Sequence, residues 1–136
     1  MQLKEFRFYE FNKNRSMGWW LYTVEGLDIE VNIQGNEYGV DQDWFDFAID
    51  ILQNYYKDII DIAKNRLKCW GPPTNKDYNV ESLYFGKYSY GPSQMFQSGF
   101  KLLLKTVGDS HEDIYGNFTI NFNQNRWPIG YEFSIA

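Results

Sequence analysis

The feature that most limits how this chain can fold is a stretch from Asp43 to Trp70 that contains no glycine or proline. Its apolar residues recur every three or four positions, the period of one face of an α-helix. Either Asp41 or Asp43 can cap the helix start, and Gly71-Pro72-Pro73 is expected to end it. The pattern therefore predicts one long amphipathic helix. Its predicted core face consists of Trp44, Ala48, Leu52, Tyr55, Ile59, Ile62, Ala63 and Leu67.

The segments on either side of this helix favour β-strands. Residues 27–33 alternate apolar and polar side chains, which is typical of a strand with one buried and one solvent-exposed face. The short break at Glu25-Gly26 predicts a hairpin with the preceding run. The other predicted strands cover 3–11, 18–24, 80–90, 94–107, 114–122 and 127–135. We therefore predict a single α+β domain over 1–136, a mostly antiparallel sheet with one long helix packed on one face.

Composition excludes several classes of function. The formal net charge is -5, from 18 acidic and 13 basic residues, which argues against a nucleic-acid binder or a polybasic membrane-surface protein. The N-terminus lacks the apolar run of a signal peptide, and no stretch approaches the length of a membrane span. One cysteine suits a reducing compartment, so we expect a cytoplasmic protein without a membrane partner.

No group of residues has the pattern of a catalytic or metal site. His111 is the only histidine and lies in a polar turn, and with Cys69 it supplies too few ligands for zinc. Cys69 falls in the last helical turn, where the helix dipole disfavours a thiolate, so we expect it to pack beside Trp70. We expect a protein that is not an enzyme and has no cofactor and no metal.

The acidic charge is concentrated in one place. Between residues 41 and 61 there are six aspartates and one lysine, a net charge of -5 that equals the charge of the whole chain. These acids can simply be a solvated helix face with favourable charges near its N-terminus. They can also steer a cationic partner to the helix. On the second hypothesis the partner-binding residues are Asp43, Asp46, Asp50, Lys57 and Asp61, with Tyr56 as an aromatic anchor.

The order of elements resembles that of bacterial immunity proteins from polymorphic-toxin and contact-dependent growth-inhibition systems. The passage Tyr115-Gly-Asn-Phe-Thr-Ile-Asn-Phe122 is similar to the closing strand of bacterial domains often grouped with them. The resemblance implies an intracellular protein that binds a cognate toxin domain and blocks its active site. Many such toxins are nucleases, whose cleft must be cationic to hold a phosphate backbone. These families share no catalytic residues, so the resemblance transfers no site by position.

Two other functions fit parts of the sequence. Phe, Trp and Tyr make up 20% of the chain, and exposed aromatic side chains can stack on sugar rings in a carbohydrate- or small-ligand-binding module. Its candidates are Trp19, Trp20, Tyr88 and Tyr90. The second alternative is an acidic DNA mimic that inhibits a DNA-acting enzyme. A mimic needs acidic charge over a longer surface than one helix supplies.

Overall fold

A computed structural model describes residues 3–11, 14–70, 77–90, 95–107 and 117–134. Its helix is α-helical over α1 (Gln42–Asp50) and α2 (Tyr56–Trp70), with a single π-helical turn at Ile51–Tyr55 between them. Eight strands make up the rest of the described structure. They are β1 (Leu3–Phe11), β2 (Asn14–Val24), β3 (Glu30–Asn36), β4 (Gly39–Val40), β5 (Tyr78–Tyr90), β6 (Met95–Thr106), β7 (Asn117–Asn123) and β8 (Pro128–Ser134).

All eight strands form one sheet in the order β1-β2-β3-β5-β6-β7-β8, with the short β4 paired to β3. Every pairing is antiparallel except that of β3 with β5. The helix lies between β3 and β5 in the chain, and a parallel pair needs a long crossover of this kind. The predicted α+β class, with a mostly antiparallel sheet and a helix on one face, is confirmed.

The core lies between the helix and one face of the sheet. It includes the fully buried side chains of Ile33, Phe85, Phe100, Phe118 and Phe122 on four different strands. Three of these rings stack along the sheet, with centroids 5.5 Å apart for Phe85 and Phe100 and 4.7 Å for Phe100 and Phe122. Many of the chain's aromatic residues therefore serve packing.

The π turn keeps the helix aligned with this core. The buried positions Ala48, Leu52, Ile59, Ala63 and Leu67 span 19 residues (67 − 48). They cover five turns, about 3.8 residues per turn, whereas an α-helix has 3.6. In an unbroken α-helix, the buried positions would therefore rotate away from the sheet by about one residue over this length. The π turn contains about one extra residue and so restores their alignment with the sheet. As a result, the apolar faces of α1 and α2 both contact the sheet.

The predicted helix and its cap are confirmed. Helical structure begins at Gln42, and the Asp41 carboxylate accepts a hydrogen bond from the Trp44 N–H at 3.2 Å. The predicted stop at Gly71-Pro72-Pro73 lies outside the described residues.

Two expectations for the third strand are wrong. Leu27 is 39% exposed, because it belongs to the β2–β3 turn and not to β3. Asn32, on the face expected to be wet, is only 1% exposed. Its side chain is held by residues of β1 and β5, since it accepts from the Tyr9 hydroxyl at 2.6 Å and donates to the Leu83 carbonyl at 3.2 Å.

Candidate functional site

The acids predicted on the helix lie at its surface. Asp43, Asp46, Asp50 and Asp61 are all exposed, as is Lys57. The Asp46 carboxylate accepts from the Gln42 amide at 2.8 Å, and the Asp50 carboxylate accepts from the Asn54 amide at 2.7 Å. These neutral donors orient the two carboxylates without cancelling their charge.

The charge of these acids is uncompensated within the described part of the chain. Asp58 is exposed one turn before Asp61, and no ion pair joins any of these acids to a described basic residue. We call the exposed carboxylates on the helix the acidic helix face; it consists of Asp43, Asp46, Asp50, Asp58 and Asp61. At a rise of about 1.5 Å per residue, the face extends along the helix for about 27 Å.

Tyr56, the aromatic anchor predicted from the sequence, does not lie beside Asp61. Its ring is half-buried and borders a groove together with Ile60 and Lys64. Loss of hydration on burial raises the pKa of its hydroxyl. The structure therefore separates Tyr56 from the acids it was grouped with.

Asp61 instead borders a second groove, of about 670 Å³, between the helix and the turn joining β7 to β8. We call this the helix–turn groove. Its lining brings two acidic helix residues together with basic and aromatic side chains. Its charged and aromatic lining residues are Tyr55, Asp58, Asp61, Arg66, Arg126 and Trp127.

The β7–β8 turn is held rigidly by its first residue. The Asn123 side-chain oxygen accepts from the backbone N–H groups of Asn125 at 2.9 Å and Trp127 at 3.0 Å. The Asn123 backbone accepts from the Arg126 N–H at 3.1 Å and donates to the Trp127 carbonyl at 3.0 Å. Four hydrogen bonds therefore define the conformation of a five-residue segment.

Arg126 has a backbone φ of 65° in this turn. The left-handed region costs a residue with a side chain on the order of 1 kcal/mol or more, and such strain is concentrated at functional sites. The Arg126 guanidinium carbon lies 3.8 Å from the centre of the Tyr55 ring, within the range of a cation–π contact. This Arg126–Tyr55 contact therefore connects the β7–β8 turn to the helix.

Trp127 projects from the same turn and is 64% exposed. A rigid, exposed tryptophan brings a large contact area at little cost in entropy, and tryptophan, tyrosine and arginine dominate binding hot spots. Since Asp58 and Asp61 border the same groove, an aromatic anchor and the end of the acidic helix face adjoin each other. This arrangement is suited to protein recognition.

The remaining chemical candidates contribute little to a site. Cys69 is exposed, because it lies two residues beyond the buried Leu67 and so points away from the sheet. Its proposed partner His111 lies outside the described residues. Among the residues that the structure describes, no three histidine, cysteine or acidic side chains cluster as metal ligands do.

The aromatics suggested for sugar binding are only partly available. Trp19 is 5% exposed, which corrects the expectation that it could stack on a ligand. It is buried because it packs edge-on against Tyr84, with ring centroids 5.2 Å apart. Trp20 is half-buried and donates its indole N–H to the Asn36 carbonyl at 2.8 Å. The side chains of Tyr88 and Tyr90 lie outside the described set.

Comparison of the chain with protein-family profiles, curated proteins and solved structures gave no match. Within the described residues, no helix combines the length and apolar character needed to cross a membrane.

The sequence predicts both the helix acids and a hairpin turn at Asn123-Gln-Asn-Arg126, but it does not predict that the turn lies beside the acids. The sequence predicts a strand that begins at Trp127, whereas β8 begins at Pro128. A signal was present in Asn123-Gln-Asn-Arg126, since an asparagine that opens a polar turn often accepts hydrogen bonds from the following backbone. What the turn packs against was not visible in the sequence.

Proposed function

We propose that this chain is a non-catalytic binding protein that neutralises a basic partner enzyme by covering its active-site cleft. The partner we propose is a cognate bacterial toxin domain, most simply a nuclease, which makes this chain an immunity protein. The observation that carries the proposal is the acidic helix face, whose carboxylates have no ion-pair partner among the described residues, beside the exposed Trp127 on its hydrogen-bonded turn.

The acidic helix face supports a role in attracting the partner. Exposed carboxylates without ion-pair partners project a negative potential, which raises the rate at which a cationic protein meets this surface. A nuclease cleft must be positively charged to hold phosphates. A row of carboxylates along one helix can occupy the same positions as part of that phosphate backbone.

The helix–turn groove supports a role in retaining the partner. Charge at an exposed surface changes association more than dissociation, whereas a buried aromatic anchor slows dissociation. Trp127 and the Tyr55–Arg126 pair form such an anchor beside Asp58 and Asp61. In this mechanism the acids guide the cleft to the helix and Trp127 enters it.

The acidic contribution is tested by charge reversal. The proposed cognate toxin domain is titrated with the Asp46→Lys/Asp50→Lys variant at about 50 mM and about 300 mM salt. We expect the association rate to fall by about tenfold or more at low salt, and the difference to shrink at high salt. The control is Glu5→Lys/Glu25→Lys, which changes two exposed acids on β1 and the β2–β3 turn by the same total charge. Equal effects of both variants, or none from the first, would contradict a role for the helix.

The anchor is tested by Trp127→Ala, with Tyr38→Ala as a control at another exposed aromatic residue, 89% accessible, on the β3–β4 turn. We expect Trp127→Ala to weaken toxin binding by about 30-fold, chiefly through faster dissociation. Inhibition of the toxin's activity should weaken in proportion. If both variants bind like the wild type, the helix–turn groove is not part of the interface.

A further inference from the structure

Another groove lies away from the proposed toxin surface. It has a volume of about 820 Å³ and opens between α2 and the starts of β3 and β5. The parallel pairing begins with Glu30 opposite Ser82, whereas β5 itself begins at Tyr78. Residues 78–81 of β5 therefore have β6 on one side and no described strand on the other.

Some peptide groups in this part of β5 point into the groove. The Val107 N–H donates to the Asp77 carbonyl at 2.8 Å, which makes Asp77 a hydrogen-bonded position opposite β6. In an antiparallel pair these positions alternate, so the peptide groups of Tyr78 and Val80 face the other way. The Asp77 carboxylate already accepts the Tyr78 N–H at 2.8 Å. The Tyr78 carbonyl and both polar groups of Val80 thus face a space where the described chain places no strand.

A buried hydroxyl also borders the groove. Thr106 is 6% exposed and lines the groove, and its Oγ1 has no hydrogen-bond partner among the described residues. A buried hydroxyl without a partner is costly, so natural structures usually satisfy it. A polar side chain of a ligand bound in the groove can do so here, whereas the backbone of a strand added beside β5 would lie two strands away from Thr106.

The charges around the groove are unbalanced toward the negative. Lys64 pairs with Asp77 at 3.2 Å, and Lys105 lies 4.0 Å from Glu81. Asp28 and Glu30 also line the groove, both are exposed, and neither has an ion-pair partner within the described residues. The mouth of the groove therefore favours a cationic group.

We propose that this groove binds an extended peptide segment of a partner protein, which adds a short strand to the free side of β5 at 78–81. Its backbone hydrogen-bonds to Tyr78 and Val80, and a lysine or arginine side chain contacts Asp28 and Glu30. Strand addition of this kind takes affinity from the main chain and specificity from alternate side chains. The site is separate from the acidic helix face, so this proposal is tested independently of the proposed toxin interface.

The test uses the full chain and synthetic blocked hexapeptides of alternating threonine and valine with lysine at the third position. Binding is measured by calorimetry and by amide hydrogen exchange at Tyr78 and Val80. Two analogues isolate the two contributions: one replaces the lysine by glutamate, and one carries N-methyl groups on alternate backbone nitrogens. We expect each analogue to bind at least about tenfold weaker, and only the parent peptide to protect the Val80 amide. Equal binding of the N-methylated peptide would overturn strand addition.

Protein variants locate the binding. We expect Asp28→Lys/Glu30→Lys to lose the preference for lysine over glutamate, and Thr106→Val to bind the parent peptide several-fold more weakly while remaining fully folded. Asp46→Lys/Asp50→Lys should bind the peptide like the wild type, and a loss there would show non-specific attraction and overturn the proposal. Spermine serves as a probe for a simple polycation site. If it displaces the peptide at equal concentration, the groove recognises charge alone and the proposal fails.

Discussion

Two buried asparagines allow a direct test of how polar groups are accommodated in this sheet. Asn32, Tyr84, Lys101 and Asn121 are consecutive cross-strand neighbours on the sheet face opposite the helix. Asn32 is 1% exposed and both ends of its amide are hydrogen-bonded. Asn121 is 0% exposed, and neither its oxygen nor its nitrogen has a partner in the described part of the chain.

The substitution Asn121→Leu should therefore stabilise the protein. Leucine has the same number of side-chain heavy atoms and the same branching, so the change removes the amide with little change in shape. Relieving an unsatisfied buried amide is worth about 2 kcal/mol. The entropy of unfolding is about 2.1 cal/mol/K per residue, which for 136 residues gives about 0.29 kcal/mol/K. We expect the melting temperature to rise by about 7 °C.

The matched control is Asn32→Leu, which should have the opposite sign. It leaves the Tyr9 hydroxyl and the Leu83 carbonyl without their partner and should cost about 2 kcal/mol. Both variants are measured by urea unfolding and by thermal melting followed by circular dichroism. A destabilised Asn121→Leu variant would refute the reasoning, because it would show that the amide makes a favourable interaction in the folded protein.

Three further predictions concern single positions. A Cβ at Gly99 would overlap the carbonyl oxygen of Phe122, so Gly99→Ala should destabilise the fold by about 2 kcal/mol or more in urea unfolding. Thr106→Val removes an unsatisfied hydroxyl and should raise the free energy of unfolding by about 1 kcal/mol, and a decrease would contradict its lack of a partner. The Tyr78 N–H and the Lys64 ammonium lower the pKa of Asp77, so its stabilising effect is present above the ordinary carboxyl pKa and lost as the pH falls through the lower folded value. Urea midpoints at about pH 7 and about pH 2.5 should therefore differ less for Asp77→Asn than for the wild type.

Local patterns in the sequence were sufficient for the long helix and the class of fold, but not for β4, the π turn or the start of β3. The absence of glycine and proline between Asp43 and Trp70, together with the helical spacing, predicted the helix, and Asp41 was recognised as a candidate cap. These features depend on neighbours within four residues, which a sequence displays directly. The surface position of the helix acids follows from the same spacing, since a helix with one apolar face presents the opposite face to solvent.

Those local patterns do not predict contacts between distant segments of the chain. The sequence does not show that Arg126 lies on the ring of Tyr55, 71 positions away (126 − 55). Nor does it show that Tyr56 would turn toward a different groove from Asp61. The π turn sets the rotation of α2 relative to α1, and its presence follows from packing both halves on one sheet.

The sequence alone thus determined the charge of the helix and the spacing of its apolar residues, because each residue keeps its charge and hydrophobicity in any fold. The tertiary structure decided which of its neighbours would share a surface with those charges. It placed Trp127 beside Asp58 and Asp61, and it left part of β5 without a strand at its side. Both outcomes depend on strand register and on the line along which the helix crosses the sheet, which only the packing of the whole core establishes.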